Sequence, residues 1–406
     1  MKILFVHQNF PGQFVHLAPA LKQRGHQVLA LTCESNTRPS PVEVAKYRTP
    51  PKVNTGPGLS RHFASCAERG AKAALAARQL RDRHGFVPDV IFGHSGWGET
   101  LFLKEIWPEA RLLIYAELMY RATGLDSGFD PEFPRSELDA RLLITARSAH
   151  LVQAMVQADA ALCPTAFQAA TFPKILRDKI TICHDGIDTD VVRPNPEARL
   201  DIPGTTLSFR SGDEVISFVS RSLEPYRGYH SFMRALPQVL ATRPGAHVVI
   251  VGAEGQSYGP APRDGLSWKA RYLDEIRGRC DLSRVHFLGR VPYARYLSLL
   301  QVSRAHAYLT YPFVLGWSLL EAMAAEAHVI ASDTAPVREV IEDGRNGRLV
   351  DFFDIKGWSR TLTEALADPA AGVPLRAAAR RDVIARYDLR SQSLPCLMDF
   401  VENAGQ

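Results

Sequence analysis

Two segments combine residue types and spacings suited to holding an anion. In Tyr311-Pro-Phe-Val-Leu-Gly-Trp-Ser-Leu-Leu-Glu321 an apolar strand runs through a glycine into a helix that carries a carboxylate near its start. The first N–H groups of a helix have no partner inside it and suit phosphate oxygens, which makes Leu315, Gly316, Trp317 and Ser318 donor-binding candidates. In Ser220-Arg221-Ser-Leu-Glu-Pro-Tyr-Arg227-Gly228 two guanidinium groups lie one short loop apart after another apolar strand. Paired arginines neutralise a diphosphate, and would stabilise charge that grows on it as a glycosyl–oxygen bond breaks. Glu321, expected on the first helical turn, can accept hydrogen bonds from ribose hydroxyls. The combination points to nucleotide-sugar chemistry. Two plainer readings stand beside it. Ser318-x-x-Glu321 is also a capping-box pattern, and arginines after a strand are ordinary surface residues.

Other candidates are weaker singly. Asn9-Phe-Pro-Gly12-Gln13 follows the first strand, and a glycine there lets a backbone N–H approach phosphate. It lacks the G-x-G-x-x-G spacing, and an ordinary strand-to-helix turn fits equally well. His94 closes a strand in Gly93-His-Ser-Gly-Trp-Gly98, framed by glycines and placed to meet a substrate. His7, His26, His184 and His306 lack that frame. Residues 117–134 form a long aromatic and acidic loop in which Glu117, Asp126 and Asp130 are acceptor-side candidates, or else a packed lid. Residues 61–84 read as a helix with Arg61, Arg69, Lys72, Arg78, Arg81 and Arg83 set among alanines. Such a face suits an anionic membrane surface or an acidic acceptor, but alanine inserts poorly and a solvated face is the better reading.

The elements that must position these residues are short apolar runs alternating with helical stretches, the pattern of parallel sheets covered by helices. Strands are expected at 2–7, 27–32, 89–93, 111–116, 160–163 and 180–183, and in a second series at 215–220, 247–251, 285–288, 307–310, 329–331 and 348–350. A helix is expected over 13–25, with Gly25 just past its end. The fold class is α/β with two doubly wound, Rossmann-like domains facing across a cleft. They span 1–190 and 213–387, joined by a proline-rich linker over 191–212, with a terminal helix over 388–406 that can pack back on the first domain. Ligands of such sheets bind at the C-terminal ends of the strands, where every motif above falls.

At 406 residues, with 46% hydrophobic and 22% charged residues, the chain has the composition of a soluble two-domain protein. A net charge of +5, from 48 basic and 43 acidic residues, argues against nucleic-acid binding and suits a small polyanion. Six scattered cysteines without a C-x-x-C pair argue against a zinc or disulfide framework. With no signal-peptide pattern and no run of about 18 apolar residues, a cytoplasmic protein is expected, peripheral membrane contact remaining open.

These residues resemble the family-4 retaining glycosyltransferases of group 1, which have the GT-B fold. The match rests on Ser220-Arg221…Arg227-Gly228, on Val285-His-Phe-Leu-Gly-Arg-Val-Pro292 and on Leu320-Glu-Ala-Met-Ala324. Ser332-Asp-Thr-Ala-Pro-Val-Arg-Glu-Val-Ile341 with Asn346-Gly347, His94, the Gly12 loop and His184-Asp-Gly-Ile-Asp188 add to it. The resemblance implies a retaining, hexosyltransferase-like enzyme in which Arg221 and Arg227 hold the donor diphosphate and Gly12 approaches it. It also implies that Glu321 binds the ribose, that backbone near Val291 meets the base, and that His94 sits beside the transferred sugar. No metal or cofactor is implied beyond a nucleotide-diphosphate sugar as co-substrate, with a glycan, lipid-linked or small-molecule acceptor. The departing phosphate takes the acceptor proton, so no dedicated carboxylate base is expected. One departure stands out: the first glutamate of the family's E-x7-E motif falls on Phe313, which cannot accept sugar hydroxyls. Two other readings follow: an epimerase or phosphorylase of related fold, and a degenerate nucleotide- or glycan-binding protein.

Overall fold

The computed structural model describes residues 1–53, 58–134, 137–262 and 264–404, and divides into two units. Unit 1 comprises Met1–Gly186 with Arg390–Gln406, and unit 2 comprises Ile187–Leu389.

Unit 1 is built on seven strands: β1 (Lys2–Val6), β2 (Gln27–Cys33), β3 (Glu43–Tyr47), β4 (Val90–His94), β5 (Arg111–Tyr115), β6 (Ala160–Cys163) and β7 (Ile180–Ile182). They pair in the order β3-β2-β1-β4-β5-β6-β7, every pairing parallel. Inner strands such as Ile3–Val6 are apolar at every position because helices cover both faces of the sheet. The chain turns outward in opposite directions from β1 and β4, so the loops after these two strands flank the switch point where α/β sheets bind ligands. The helix expected over 13–25 is shorter, Leu17–Gln23, preceded by a single turn at Gly12–Phe14. Gly25 takes φ +93°, in the left-handed region expected of it. The final helix, Leu394–Ala404, buries Leu397 and Val401 against Ile3, Phe5 and Phe92. Residues 405 and 406 of the expected terminal helix lie outside the described residues.

Unit 2 opens with an antiparallel hairpin, β8 (Arg199–Asp201) and β9 (Ser208–Arg210). Its sheet then runs through β10 (Val215–Ser222), β11 (His247–Ala253), β12 (Val285–Gly289), β13 (Ala305–Tyr308), β14 (Val329–Ser332) and β15 (Arg348–Val350). The order is β12-β11-β10-β13-β14-β15, again all parallel, with the switch point between β10 and β13. The arginine-bearing motif begins in the last residues of β10, which include Arg221, and the helix-entry motif follows β13.

Two elements depart from expectation. The segment 191–212 is not a bare linker, since its hairpin buries Leu200, Ile202 and Phe209 against Val215 and Val249 of unit 2. Strand β3 was missed because it is a short edge strand whose alternating Glu-Val-Ala-Lys-Tyr follows a proline-rich stretch.

Candidate active site

In unit 2, β10 and β13 end side by side, and the loops that follow are tied together. The Tyr311 amide donates to the Tyr226 carbonyl at 3.0 Å, and the two rings meet at a tilt, 4.7 Å between centroids. Arg227 is buried there; its Nη1 donates to Thr310 Oγ1 at 2.8 Å and to the Val314 carbonyl at 3.1 Å. Its guanidinium carbon lies 5.1 Å from the Tyr258 ring centroid and 5.8 Å from that of Phe313, so aromatic faces complete its enclosure. Arg221, by contrast, is exposed and makes no hydrogen bond or ion pair among the described residues. The expected matched pair is therefore unequal. Arg227 supplies fixed positive charge behind the loop, with both Nη1 protons spent on protein, and Arg221 keeps a free guanidinium.

Glu224, inside the same motif, was not singled out from sequence. It is fully buried, and its carboxylate accepts from the amides of Ser257, Tyr258 and Gly259 at 2.9–3.2 Å. Burial pushes the carboxyl up and the three N–H donors oppose it. Glu224 thereby fixes the loop after β11 that brings Tyr258 over Arg227. The only sign in the sequence was an acidic residue close to an arginine in a loop otherwise expected to hold an anion.

The helix entered through Gly316 spans Trp317–Ala324, with Gly316 as its N-cap and no side-chain cap. Ser318 is thus inside the helix, the capping-box reading fails, and Glu321 sits on the second turn rather than the first. Both Glu321 oxygens accept from phenols, Tyr293 to Oε1 and Tyr296 to Oε2, each at 2.6 Å. Burial raises this carboxyl and the two phenols pull it back. The Gly316 amide donates to Tyr308 Oη at 2.8 Å, so one of the four candidate amides is already used. Those of Leu315 and Ser318 have no partner among the described residues. Leu315 turns its side chain into the core, Trp317 is exposed, and Val291 is half-buried after β12. Phe313 is buried against Tyr226 and Tyr258, with centroids at 5.7 and 5.0 Å, so it is a wall of the Arg227 enclosure.

In unit 1 the loops after β1 and β4 converge. His94 is buried; its Nδ1 accepts from the Gly96 amide at 3.0 Å. The neutral ring therefore carries its proton on Nε2, which is 3.7 Å from Glu117 Oε2 and has no hydrogen-bond partner. Tyr115 stacks on the His94 ring at 5.2 Å, and Trp97 lies at 4.5 Å. Glu117 adopts φ +54°, a left-handed conformation that costs energy for a non-glycine residue and turns its carboxylate toward His94. His7, set aside in the sequence because no glycine precedes it, belongs here too. It follows β1, and its ring meets His94 edge-on at 5.5 Å and Trp97 at 5.1 Å. Burial, then His94, holds His7 well below the usual imidazole range, so it is neutral. Gly12 has φ +51°, and a Cβ there would come within 2.7 Å of His7 Nε2, so only glycine closes this turn.

Asp130 is buried and its Oδ1 accepts from the Glu132 amide at 2.9 Å, a bond within its own loop, while Asp126 is half-buried. Residues 119–123 of that loop line a cavity of about 460 Å³ together with Ile144, Ser148 and Val152. Arg69, expected on a solvated helix face, turns inward to bond Tyr47, whose hydroxyl donates to the buried Glu99 at 2.9 Å.

The family follows from comparison with known proteins. Residues 24–192 match the glycosyl transferase family 4 group, and residues 207–383 match the glycosyl transferases group 1. The chain belongs to the group 1, family-4 glycosyltransferases. Glycogen synthase of Mycobacterium tuberculosis is 24% identical over 417 residues, covering 96% of this chain and 91% of that one. Phosphatidyl-myo-inositol mannosyltransferase of Mycolicibacterium smegmatis is 34% identical over 187 residues, 44% of this chain and 42% of that one. Among solved structures, sucrose-phosphate synthase from Thermosynechococcus elongatus superposes with a TM-score of 0.72 at 15% identity, covering 99% of each chain. Anabaena HepE in complex with UDP-glucose superposes at 0.64 with 16% identity, covering 99% of this chain and 100% of that one. These likenesses establish the GT-B fold. Among the described residues no helix of this glycosyltransferase is long and apolar enough to cross a membrane.

Proposed function

We propose that this glycosyltransferase moves a hexosyl group from a nucleotide-diphosphate sugar to an acceptor hydroxyl with retention of anomeric configuration and without a metal ion on the diphosphate. The observation that carries the reading is the pairing of exposed Arg221 with enclosed Arg227 at the end of β10, together with the amides of Leu315 and Ser318 on either side of Gly316, which have no partner among the described residues. Positive charge fixed before reaction costs no reorganisation as the leaving group becomes anionic. In the step itself the bond from the anomeric carbon to the diphosphate oxygen breaks. The acceptor oxygen bonds the same face of that carbon, and its proton passes to the departing phosphate. Arg221 meets the diphosphate directly, while Arg227 acts through its field and by holding the Val314 carbonyl. Glu321 receives the ribose hydroxyls, and His94 offers its Nε2–H to a hydroxyl of the transferred sugar. Phe313 leaves no carboxylate at the first position of the family's motif, so sugar hydroxyls find backbone groups near Leu315 and Gly316 instead.

The test is a panel of uridine, guanosine and adenosine diphosphate sugars with glycan, inositol-type and lipid-linked acceptors, without added magnesium or manganese. The uridine donors come first because HepE was solved with UDP-glucose. Acceptor-dependent release of nucleoside diphosphate, with an axial or equatorial linkage matching the donor by NMR, supports the reading. Release without acceptor would indicate a hydrolytic, epimerase-like or phosphorylase-like reaction. Tight nucleotide binding without any release would indicate a binding protein.

A further inference from the structure

Three side chains that donor chemistry leaves unused meet beneath the loop carrying His94. His62 and Cys66 lie four residues apart on one face of the helix Arg61–His84, and His150 comes from the helix Ala149–Gln157. One ligating atom from each lies within 4.8 Å of those of the other two. His62 Nε2 and Cys66 Sγ are 3.7 Å apart, and the His62 and His150 rings meet at 5.0 Å between centroids. Zinc bonds of about 2.3 Å to sulfur and about 2.0 Å to nitrogen, at a tetrahedral angle, span roughly 3.5 Å between the ligand atoms.

A second observation is independent of that proximity. His150 is fully buried, its Nε2 lies 3.2 Å from the Gly96 carbonyl, and its Nδ1 has no hydrogen-bond partner. Nε2 therefore carries the ring proton and donates it to the carbonyl, and a lone pair remains on Nδ1. The Arg147 carbonyl, three residues back, faces the ring without making a bond of normal geometry. A buried lone pair left bare is costly, whereas an imidazole that gives its far N–H to a carbonyl is the usual state of a metal ligand. Burial, with His150 and Arg147 adding to it, pushes His62 down to about 4, so protons compete weakly for its nitrogen. Cys66 is pushed up to about 12, by burial and then by Glu99, so its thiol must lose a proton when a cation arrives. Arg147 and Arg69 oppose a cation here, and Glu99 together with the thiolate offsets them.

We propose that His62, Cys66 and His150 form a zinc site, with a thiolate and two neutral imidazoles as ligands and water in the fourth position. Binding releases the Cys66 proton to solvent. Through the Gly96 carbonyl the ion would fix the turn Ser95–Trp97, next to which His94 is held by the Gly96 amide. The site is thus a structural support and separate from the donor diphosphate.

The full chain, stripped with chelator and checked for retained fold by circular dichroism, is titrated with Co²⁺ and then with Zn²⁺. One equivalent of Co²⁺ should give a thiolate-to-cobalt charge-transfer band with the visible bands of tetrahedral geometry, and Zn²⁺ should displace it. Cys66→Ser should abolish the charge-transfer band. His150→Gln should weaken Co²⁺ binding beyond the ~10–100-fold cost of losing an outer-shell partner. No stoichiometric Co²⁺ binding by the folded wild-type chain overturns the proposal and leaves the cluster a packed polar contact. An undiminished thiolate band in Cys66→Ser overturns it as well. The wild-type titration decides even where a variant fails to fold, and it reads the metal rather than sugar transfer, so it stands apart from the donor assays.

Discussion

The Arg227 Nη1 group donates to the Val314 carbonyl at 3.1 Å, bridging the loop after β10 and the loop that enters the helix Trp317–Ala324. The residue that supplies charge at the switch point therefore also sets the course of the chain into that helix.

Arg221→Ala and Arg227→Ala should for that reason fail differently. Both should lower transfer by ~10²-fold or more, the scale of removing one preorganised donor from a developing anion. Arg221 is exposed and without partners among the described residues, so its loss should change stability by no more than about 0.5 kcal/mol. Arg227→Ala leaves the buried Thr310 hydroxyl and Val314 carbonyl without their donor, and should cost about 2–4 kcal/mol. Thermal melts beside donor-saturation kinetics check both. An Arg227→Ala chain with wild-type melting would remove its structural part, and an active Arg221→Ala chain would remove the diphosphate assignment.

Glu224→Gln tests whether the loop over Arg227 is held by one carboxylate. The glutamine keeps a single acceptor oxygen for the three amides of residues 257–259. A loss of about 1–3 kcal/mol is expected, concentrated in that loop rather than spread over unit 2. Hydrogen exchange should show faster exchange at Ser257, Tyr258 and Gly259, and the Michaelis constant for donor should rise because Tyr258 no longer closes on Arg227. Unchanged exchange at those three amides would show that the loop is held by other contacts.

The elements that position the site were legible because parallel strands buried on both faces are continuous apolar runs, as in Ile3–Val6 and Val248–Val251. Glycine punctuation located the turns at Gly12 and Gly316. What escaped was whatever depended on side chains meeting from distant segments. Tyr293 and Tyr296 reach Glu321 from another helix, and nothing in the pattern of residues 293–302 marks that contact. His7 lacked any local frame, and only pairing of β1 with β4 brings it to His94. Phe313 was expected to face sugar, yet its ring packs on Tyr226 and Tyr258, since a residue's direction within an irregular loop is not encoded by period. The cysteine pattern hid the His62–Cys66–His150 cluster because its third member arrives from a different helix.

The chain should lose stability in mild acid through buried neutral histidines. His306 is fully buried in unit 2, shares a hydrogen bond of 2.8 Å with Ser217 Oγ, and is pushed by burial from 6.5 down to about 4. Unfolding frees it to bind a proton at its ordinary value. Its contribution is complete above pH 6.5 and is lost as pH falls through about 4, reaching roughly 3 kcal/mol below that. His184 and His328, likewise near 4, act in the same direction. His306→Leu should flatten the fall in melting temperature between pH 7 and pH 4, whatever it does at neutral pH. Parallel wild-type and variant curves across that window would show that His306 does not titrate on unfolding.

Tyr293 gives the sharpest test of the ribose assignment. Its hydroxyl occupies Glu321 Oε1 at 2.6 Å, yet its ring is 51% exposed, whereas Tyr296 on Oε2 is 8% exposed. A ribose hydroxyl that binds Glu321 must compete with the exposed partner and not the buried one. Tyr293→Phe removes a hydrogen bond worth ~1 kcal/mol from the unliganded state only, so nucleoside diphosphate should bind roughly 3–10-fold more tightly. Tyr296→Phe should instead destabilise unit 2, because it leaves a buried carboxylate oxygen short of a donor. Calorimetric titration with uridine and guanosine diphosphates separates the outcomes. Weaker binding by Tyr293→Phe would mean that the phenol itself holds the ligand and that Glu321 positions the tyrosine rather than the ribose.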